Sequence, residues 1–206
     1  MFIGFYGASV LLTYIGLAFS VTGMVLAFLG HIPAAVMCLI LSGVCDMFDG
    51  TVARACKRSE TEKKFGIQID SLVDTVSFGV FPIVLGICMG FTSKLNTVIY
   101  IIYGLAAVIR LAYFNTLDIC NKSEKGYFIG APITTISIIY PIVYLICFFN
   151  KFEHFPIISS IFFIIVGISF IYRIKIKKLD DKGKVILSVL GILLIIAVLA
   201  KIIFFK

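Results

Sequence analysis

Seven stretches of about twenty mostly apolar residues, each long enough to cross a hydrocarbon layer about 30 Å thick, occupy most of this chain. They run over 8–29, 32–54, 67–91, 95–117, 128–149, 154–173 and 185–205. Between them lie Gly30-His31, the charged run 57–64, Thr92-Ser93-Lys94, residues 121–126, Asn150-Lys151 and residues 175–184. A 206-residue chain that is 61% hydrophobic and 14% charged cannot bury such segments in a soluble core, so lipid must cover them. The expected fold class is all-α: a polytopic transmembrane helix bundle of six to seven membrane helices. Pro132 and Pro141 make the fifth stretch the least regular. No repeat, low-complexity tract or soluble unit breaks the pattern, and residues 1–206 read as a single membrane domain. The first stretch lacks a basic leader and a small-residue cleavage site, so it reads as a retained helix.

The formal charge of +7 does not point to nucleic acid, because the basic residues are sorted by connection. Arg54, Lys57, Arg58, Lys63 and Lys64 fall in one connection. Lys122 and Lys125 fall in another on the same side, and Arg173, Lys175, Lys177, Lys178, Lys182 and Lys184 in a third. The opposite side carries Lys94, Lys151, Lys201 and Lys206. The positive-inside rule puts the first group, with the N-terminus, on the cytoplasmic face of the cell membrane. Anionic membrane lipid is the partner these charges imply. The six scattered cysteines include no C-x-x-C, and His31 and His154 lie far apart. Neither a disulfide framework nor a zinc set is expected.

Four acidic residues are out of place in a mere anchor. Asp46 and Asp49 fall in the last turns of the second stretch, and Asp70 and Asp74 in the first turns of the third. Spacings of three and four put each pair on one helix face. Antiparallel neighbours joined by a short connection would bring all four together, about 8–12 Å below its ends. Four carboxylates facing one another in low dielectric cannot all stay ionised unaided. Protonation would relieve them, as in proton relays; so would one or two hard cations such as Mg²⁺, Mn²⁺ or Ca²⁺, which oxygen-only donor sets select. A transporter would hold such acids near the midplane, often on broken helices, whereas these lie at one surface beside Arg54. A scaffold would leave their cost unexplained. The guanidinium of Arg54 suits phosphate. Gly50 and Gly66 leave room for a ligand, although glycines also serve simple helix packing.

The order Asp46-x2-Asp49-Gly50-x2-Ala53-Arg54, then Gly66-x3-Asp70-x3-Asp74, sets eight fixed residues within 29 positions. It resembles the signature of the CDP-alcohol phosphotransferases. The resemblance implies transfer of a phosphatidyl group from CDP-diacylglycerol to an alcohol, with release of CMP. It implies two divalent cations, Mg²⁺ or Mn²⁺, held by Asp46, Asp49, Asp70 and Asp74, with Asp74 also the general base. It further implies a nucleotide site lined by Asp49, Gly50, Ala53, Arg54 and Gly66. Eleven residues separate Arg54 from Gly66, more than the family usually has, and a longer cytoplasmic turn with unchanged helix faces is expected.

Within the family, the segment Phe65–Phe78 (FGIQIDSLVDTVSF), with Arg110–Asn115 and Gly130–Thr135, is similar to the membrane-embedded phosphatidylserine synthases. The similarity covers residues 9–149 or so, and the helices of 150–206 carry no motif. It implies L-serine as acceptor, bound by Arg110, Asn115, Thr134 and Thr135. The lone intrahelical guanidinium of Arg110 suits a carboxylate better than a phosphate dianion; glycerol 3-phosphate and inositol phosphate are the alternative acceptors. The alternative reading of Arg110 is a structural partner of an aspartate, and the two threonines read equally as helix–helix hydrogen bonders. Family members are often homodimers, so a homodimer is among the expectations.

Overall fold

Small residues decide where the first helices meet. Helix α1 (Ala8–Phe28) buries Thr13, Gly16, Ser20, Gly23 and Ala27. That spacing of three and four draws a stripe along which membrane helices approach closely. The stripe lies against α2 (Ile32–Ala55) and α3 (Glu60–Cys88). A Cβ on Gly16 would come within 3.2 Å of Cys45 Cβ, and one on Gly23 would run into the ring of Phe81.

The computed structural model describes residues 3–119, 127–149, 155–177 and 181–204. After α3 come α4 (Lys94–Ile119), α5 (Ile136–Phe149), α6 (Phe155–Ile171) and α7 (Asp181–Phe204). The protein is an all-α polytopic membrane bundle. Five helices are long and apolar enough to cross a membrane; the fifth and sixth are shorter, with apolar runs of Ile133–Cys147 and Ile157–Ile171. Helix α2 is central and touches α1, α3, α5 and α7, whereas α4 packs on α6 and on the middle of α3. Ile101, Leu105 and Val108 of α4 and Ile192, Leu193 and Ile196 of α7 are exposed, as a lipid-facing surface requires. Tyr100, Tyr103 and Tyr140 meet Phe163 edge-on or tilted in the core.

Three departures from the sequence reading have physical causes. The connection after Arg54 is not a longer turn: α3 begins at Glu60, and the additional residues are wound into helix. A capping box starts it. Ser59 Oγ accepts from the Glu62 N–H at 3.2 Å, and Glu62 Oε2 accepts from the Ser59 N–H at 2.7 Å. Glu60 and Lys63 add an ion pair at 2.6 Å. The fifth stretch, expected to be helical from 128, instead opens with a strand, β1 (Tyr127–Ile129), followed by a 3₁₀ turn over Ile133–Thr135. Strand β1 pairs antiparallel with β2 (Lys175–Lys177), placing Phe128 opposite Ile176. Two connections that the charge count assigned to one side are thus joined there. At Gly130 the backbone turns with φ +79°, and a Cβ would come within 2.6 Å of the Phe170 carbonyl. Finally, Lys201 is not a far-side surface charge. It is buried, donates to Tyr144 Oη and lies 4.2 Å from the centre of that ring. Lys122, Lys125, Lys151, Lys178, Lys206, Cys120 and His154 lie outside the described residues.

Helix α3 changes pitch directly below the aspartates. Residues Thr75–Val80 are π-helical, and α-helical winding resumes at Phe81. Pro82 has no N–H to give to the Phe78 carbonyl four residues earlier. Tyr103 Oη of α4 donates to that carbonyl instead, at 2.5 Å.

Candidate active site

Asp46 and Asp49 lie about two turns before the end of α2. Asp70 and Asp74, expected in the first turns of the third helix, lie about three to four turns into α3 because it begins early at Glu60. The short connection 56–59 still sets the four face to face. One carboxylate oxygen from each of Asp46, Asp49 and Asp70 lies within 4.8 Å of the others. The Asp46 carboxyl is within hydrogen-bond reach of Asp74, and that of Asp49 within reach of Asp70. Asp49 and Asp74 are buried, at 9% and 8% exposure. All four line one small cleft with Thr13, Ser42 and Ser77.

The sequence reading missed what α1 supplies. Thr13 Oγ1 donates to Asp49 Oδ2 at 3.1 Å, orienting that carboxylate and leaving its second oxygen for another partner. Beneath the acids, Ser20 Oγ lies 2.9 Å from Ser42 Oγ and 2.7 Å from Ser77 Oγ, a fully buried hydroxyl chain across α1, α2 and α3. Its signal was the stripe of small residues in α1.

Above the acids opens a cavity of about 190 Å³ in which every residue assigned to the nucleotide site meets: Asp49, Gly50, Ala53, Arg54 and Gly66, with Asp70. Both motif glycines make room for a guanidinium. The position of a Cβ on Gly50 is 3.4 Å from an Arg54 nitrogen, and that on Gly66 is 3.5 Å from an Arg58 nitrogen. Arg54 also donates to Thr51 Oγ1 at 3.2 Å. Arg58, Ser9 and Thr13 complete the wall and were not singled out from the sequence.

The residues assigned to the acceptor are divided among three places. Arg110 is 7% exposed, and its guanidinium carbon lies 4.6 Å above the Phe114 ring. Asp74 and Asp46 act on it electrostatically without forming an ion pair, and its Nε is buried with no hydrogen-bond partner. It lines a cavity of about 200 Å³ with Tyr113, Phe114, Phe170 and Arg173. That cavity therefore has two arginines where the sequence offered one. Asn115 is outside it: its amide exchanges hydrogen bonds with Ser71 Oγ at 2.9 and 3.1 Å, tying α4 to α3. Thr134 and Thr135 line a third, mostly apolar cavity of about 240 Å³ with Asp46, Ile40, Val44 and Leu187, and Thr135 Oγ1 donates to the Pro132 carbonyl at 2.6 Å.

The group that could hold a cation among the described residues is three carboxylates, Asp46, Asp49 and Asp70, and such an oxygen-only set fits a hard divalent cation and not a soft one. An intramembrane carboxylate group roofed by guanidiniums is the equipment of phosphate chemistry at a membrane surface. The family model described as CDP-alcohol phosphatidyltransferase matches residues 8–204, and the chain belongs to that family. A Methanocaldococcus jannaschii protein named CDP-diacylglycerol--serine O-phosphatidyltransferase is 35% identical over 144 residues, 70% of this chain and 64% of that one. Proteins of the same name from Saccharomyces cerevisiae and Helicobacter pylori are 35% and 34% identical over 124 and 120 residues, covering 57% and 56% of this chain. The matches span 44% and 46% of those two proteins, so the chain covers less than two thirds of each of these relatives.

Proposed function

We propose that this protein transfers the phosphatidyl group of CDP-diacylglycerol to the hydroxyl of L-serine, giving phosphatidylserine and CMP. The observation that carries the reading is the convergence of Asp46, Asp49 and Asp70 directly beneath a cavity walled by Gly50, Ala53, Arg54 and Gly66. The relatives' shared name supports serine as acceptor.

Asp46, Asp49, Asp70 and Asp74 would hold one or two Mg²⁺ or Mn²⁺ ions, which when bound polarise the phosphoryl group and neutralise the departing phosphate. Thr13 fixes the Asp49 carboxylate for that duty. Arg54 faces the diphosphate across Gly50, where only hydrogen on Cα lets the backbone and the nucleotide come close. The serine oxygen forms a bond to the phosphatidyl phosphorus as the bond from that phosphorus to the CMP oxygen breaks. The serine hydroxyl proton passes to a carboxylate oxygen of Asp74, the acid outside the three-carboxylate group. Arg110, whose buried Nε has no hydrogen-bond partner, holds the serine carboxylate. The apolar cavity beside Asp46 suits the glycerol end of the lipid. The basic connections support a cytoplasmic active site.

The second arginine of the Arg110 cavity favours a phosphorylated acceptor as the rival reading. A panel decides: purified protein in detergent, CDP-diacylglycerol and Mn²⁺, with serine, glycerol 3-phosphate or inositol phosphate, following CMP release. Release with serine alone is expected. Release only with a phosphorylated acceptor would keep the transfer and overturn the acceptor.

A further inference from the structure

Arg58 sits in the four-residue connection between α2 and α3, immediately before the N-cap Ser59. The two acids that follow it in the sequence are already committed. Glu62 Oε2 is held by the N–H and hydroxyl of Ser59 at 2.7 and 2.8 Å, and Glu60 by Lys63 at 2.6 Å. Glu62 attracts Arg58 without pairing with it. The Arg58 side chain instead turns over Gly66 into the cavity above Asp49 and Asp70, where its Nε is buried with no hydrogen-bond partner. A half-buried guanidinium with an unspent donor, lining a cavity opposite carboxylates, calls for an anionic ligand between them.

We propose that Arg58 is a second phosphate-binding guanidinium of the donor cavity, gripping the diphosphate of the cytidine nucleotide across from Arg54. The inference rests on the nucleotide reading above and adds a residue outside the eight-position motif. It also gives the long Arg54–Gly66 interval a purpose. The added residues become the first turns of α3, and the capping box that starts them fixes the backbone from which Arg58 reaches back over Gly66. Each arginine then lies over one motif glycine, so the anion is held both from the end of α2 and from the connection that follows it.

The test is equilibrium binding of CDP and of cytidine to the purified full chain in detergent with Mn²⁺, comparing the protein with its Arg58→Gln variant. CDP should bind at least about tenfold more weakly to the variant, with cytidine unchanged. Equal CDP affinity, or equal losses for CDP and cytidine, would overturn the role of Arg58 alone. Failure of the unmodified protein to bind CDP would overturn the nucleotide reading and Arg58 with it. An independent measurement needs no variant: arginine-directed labelling by phenylglyoxal, read by peptide mass spectrometry. CDP should shield Arg58 and cytidine should not; labelling of Arg58 indifferent to CDP would count against the proposal.

Discussion

Replacing Tyr103 by Phe deletes one hydroxyl from the core and leaves the ring between Phe163 and Phe170, whose centroids lie 5.0 and 5.6 Å away. The Phe78 carbonyl then loses the Tyr103 hydroxyl, and Pro82 has no N–H to offer in its place. Water cannot reach either, since Phe78 and Tyr103 are each 1% exposed. Hydrogen bonds inside membrane proteins average about 0.6 kcal/mol and reach about 1.7, because the unfolded helix usually finds another partner. Both residues are closed to water here, so the loss should sit at the top of that range, about 1–2 kcal/mol. Pro82→Ala supplies an N–H at the needed position. Alone it should change stability by less than about 0.5 kcal/mol, and combined with Tyr103→Phe it should recover at least half the loss. Reversible unfolding in mixed detergent micelles measures all four corners of the cycle. A Tyr103→Phe variant as stable as the parent, or a double variant no better than Tyr103→Phe, would refute the reading that Tyr103 stands in for the N–H that Pro82 lacks.

Other outcomes are open to direct measurement. Asp74→Asn should lower turnover by at least about a hundredfold while CDP affinity stays near that of the parent, checked by CMP release and equilibrium binding. Excess EDTA should stop CMP release, with Mg²⁺ or Mn²⁺ restoring it and Zn²⁺ failing; full activity under chelation would contradict a metal role for the carboxylates. Ser59→Ala should cost about 1 kcal/mol and speed hydrogen exchange over residues 60–66, where the capping box holds the first turn of α3. Arg110→Ala should raise the KM for serine far more than that for CDP-diacylglycerol, as steady-state kinetics with each substrate varied in turn would report.

The carboxylates were readable because their spacing repeats the helical period and because charges inside apolar stretches have no bland explanation. The bundle was readable for the same reason, since length and hydropathy fix the helices that lipid must cover. The start of α3 was obscured by its charges: the run 57–64 looks like a loop until Ser59 and Glu62 are seen as a capping box, whose local bonds outweigh the polar composition. The β1–β2 ribbon left no local mark, because its pairing joins residues far apart in the chain. The acceptor residues divided for a related reason. Arg110 and Thr134 share a region of sequence, but which cavity each lines depends on α6 and α7, whose apolar faces say little about register.

The ribbon also sets an order of assembly. The four aspartates occupy residues 46–74, so their cluster is complete once α3 has entered the membrane. Strand β1 must wait for β2, synthesised some fifty residues later, after both α5 and α6 have been inserted. Arg173 and Phe170 reach the Arg110 cavity only with that late segment. A chain cut after α5 would keep every motif residue and still lack Phe170 and Arg173, which wall the Arg110 cavity. The motif-free C-terminal third therefore supplies the far wall of the Arg110 cavity, and a nascent chain holds its whole carboxylate motif well before that wall is made.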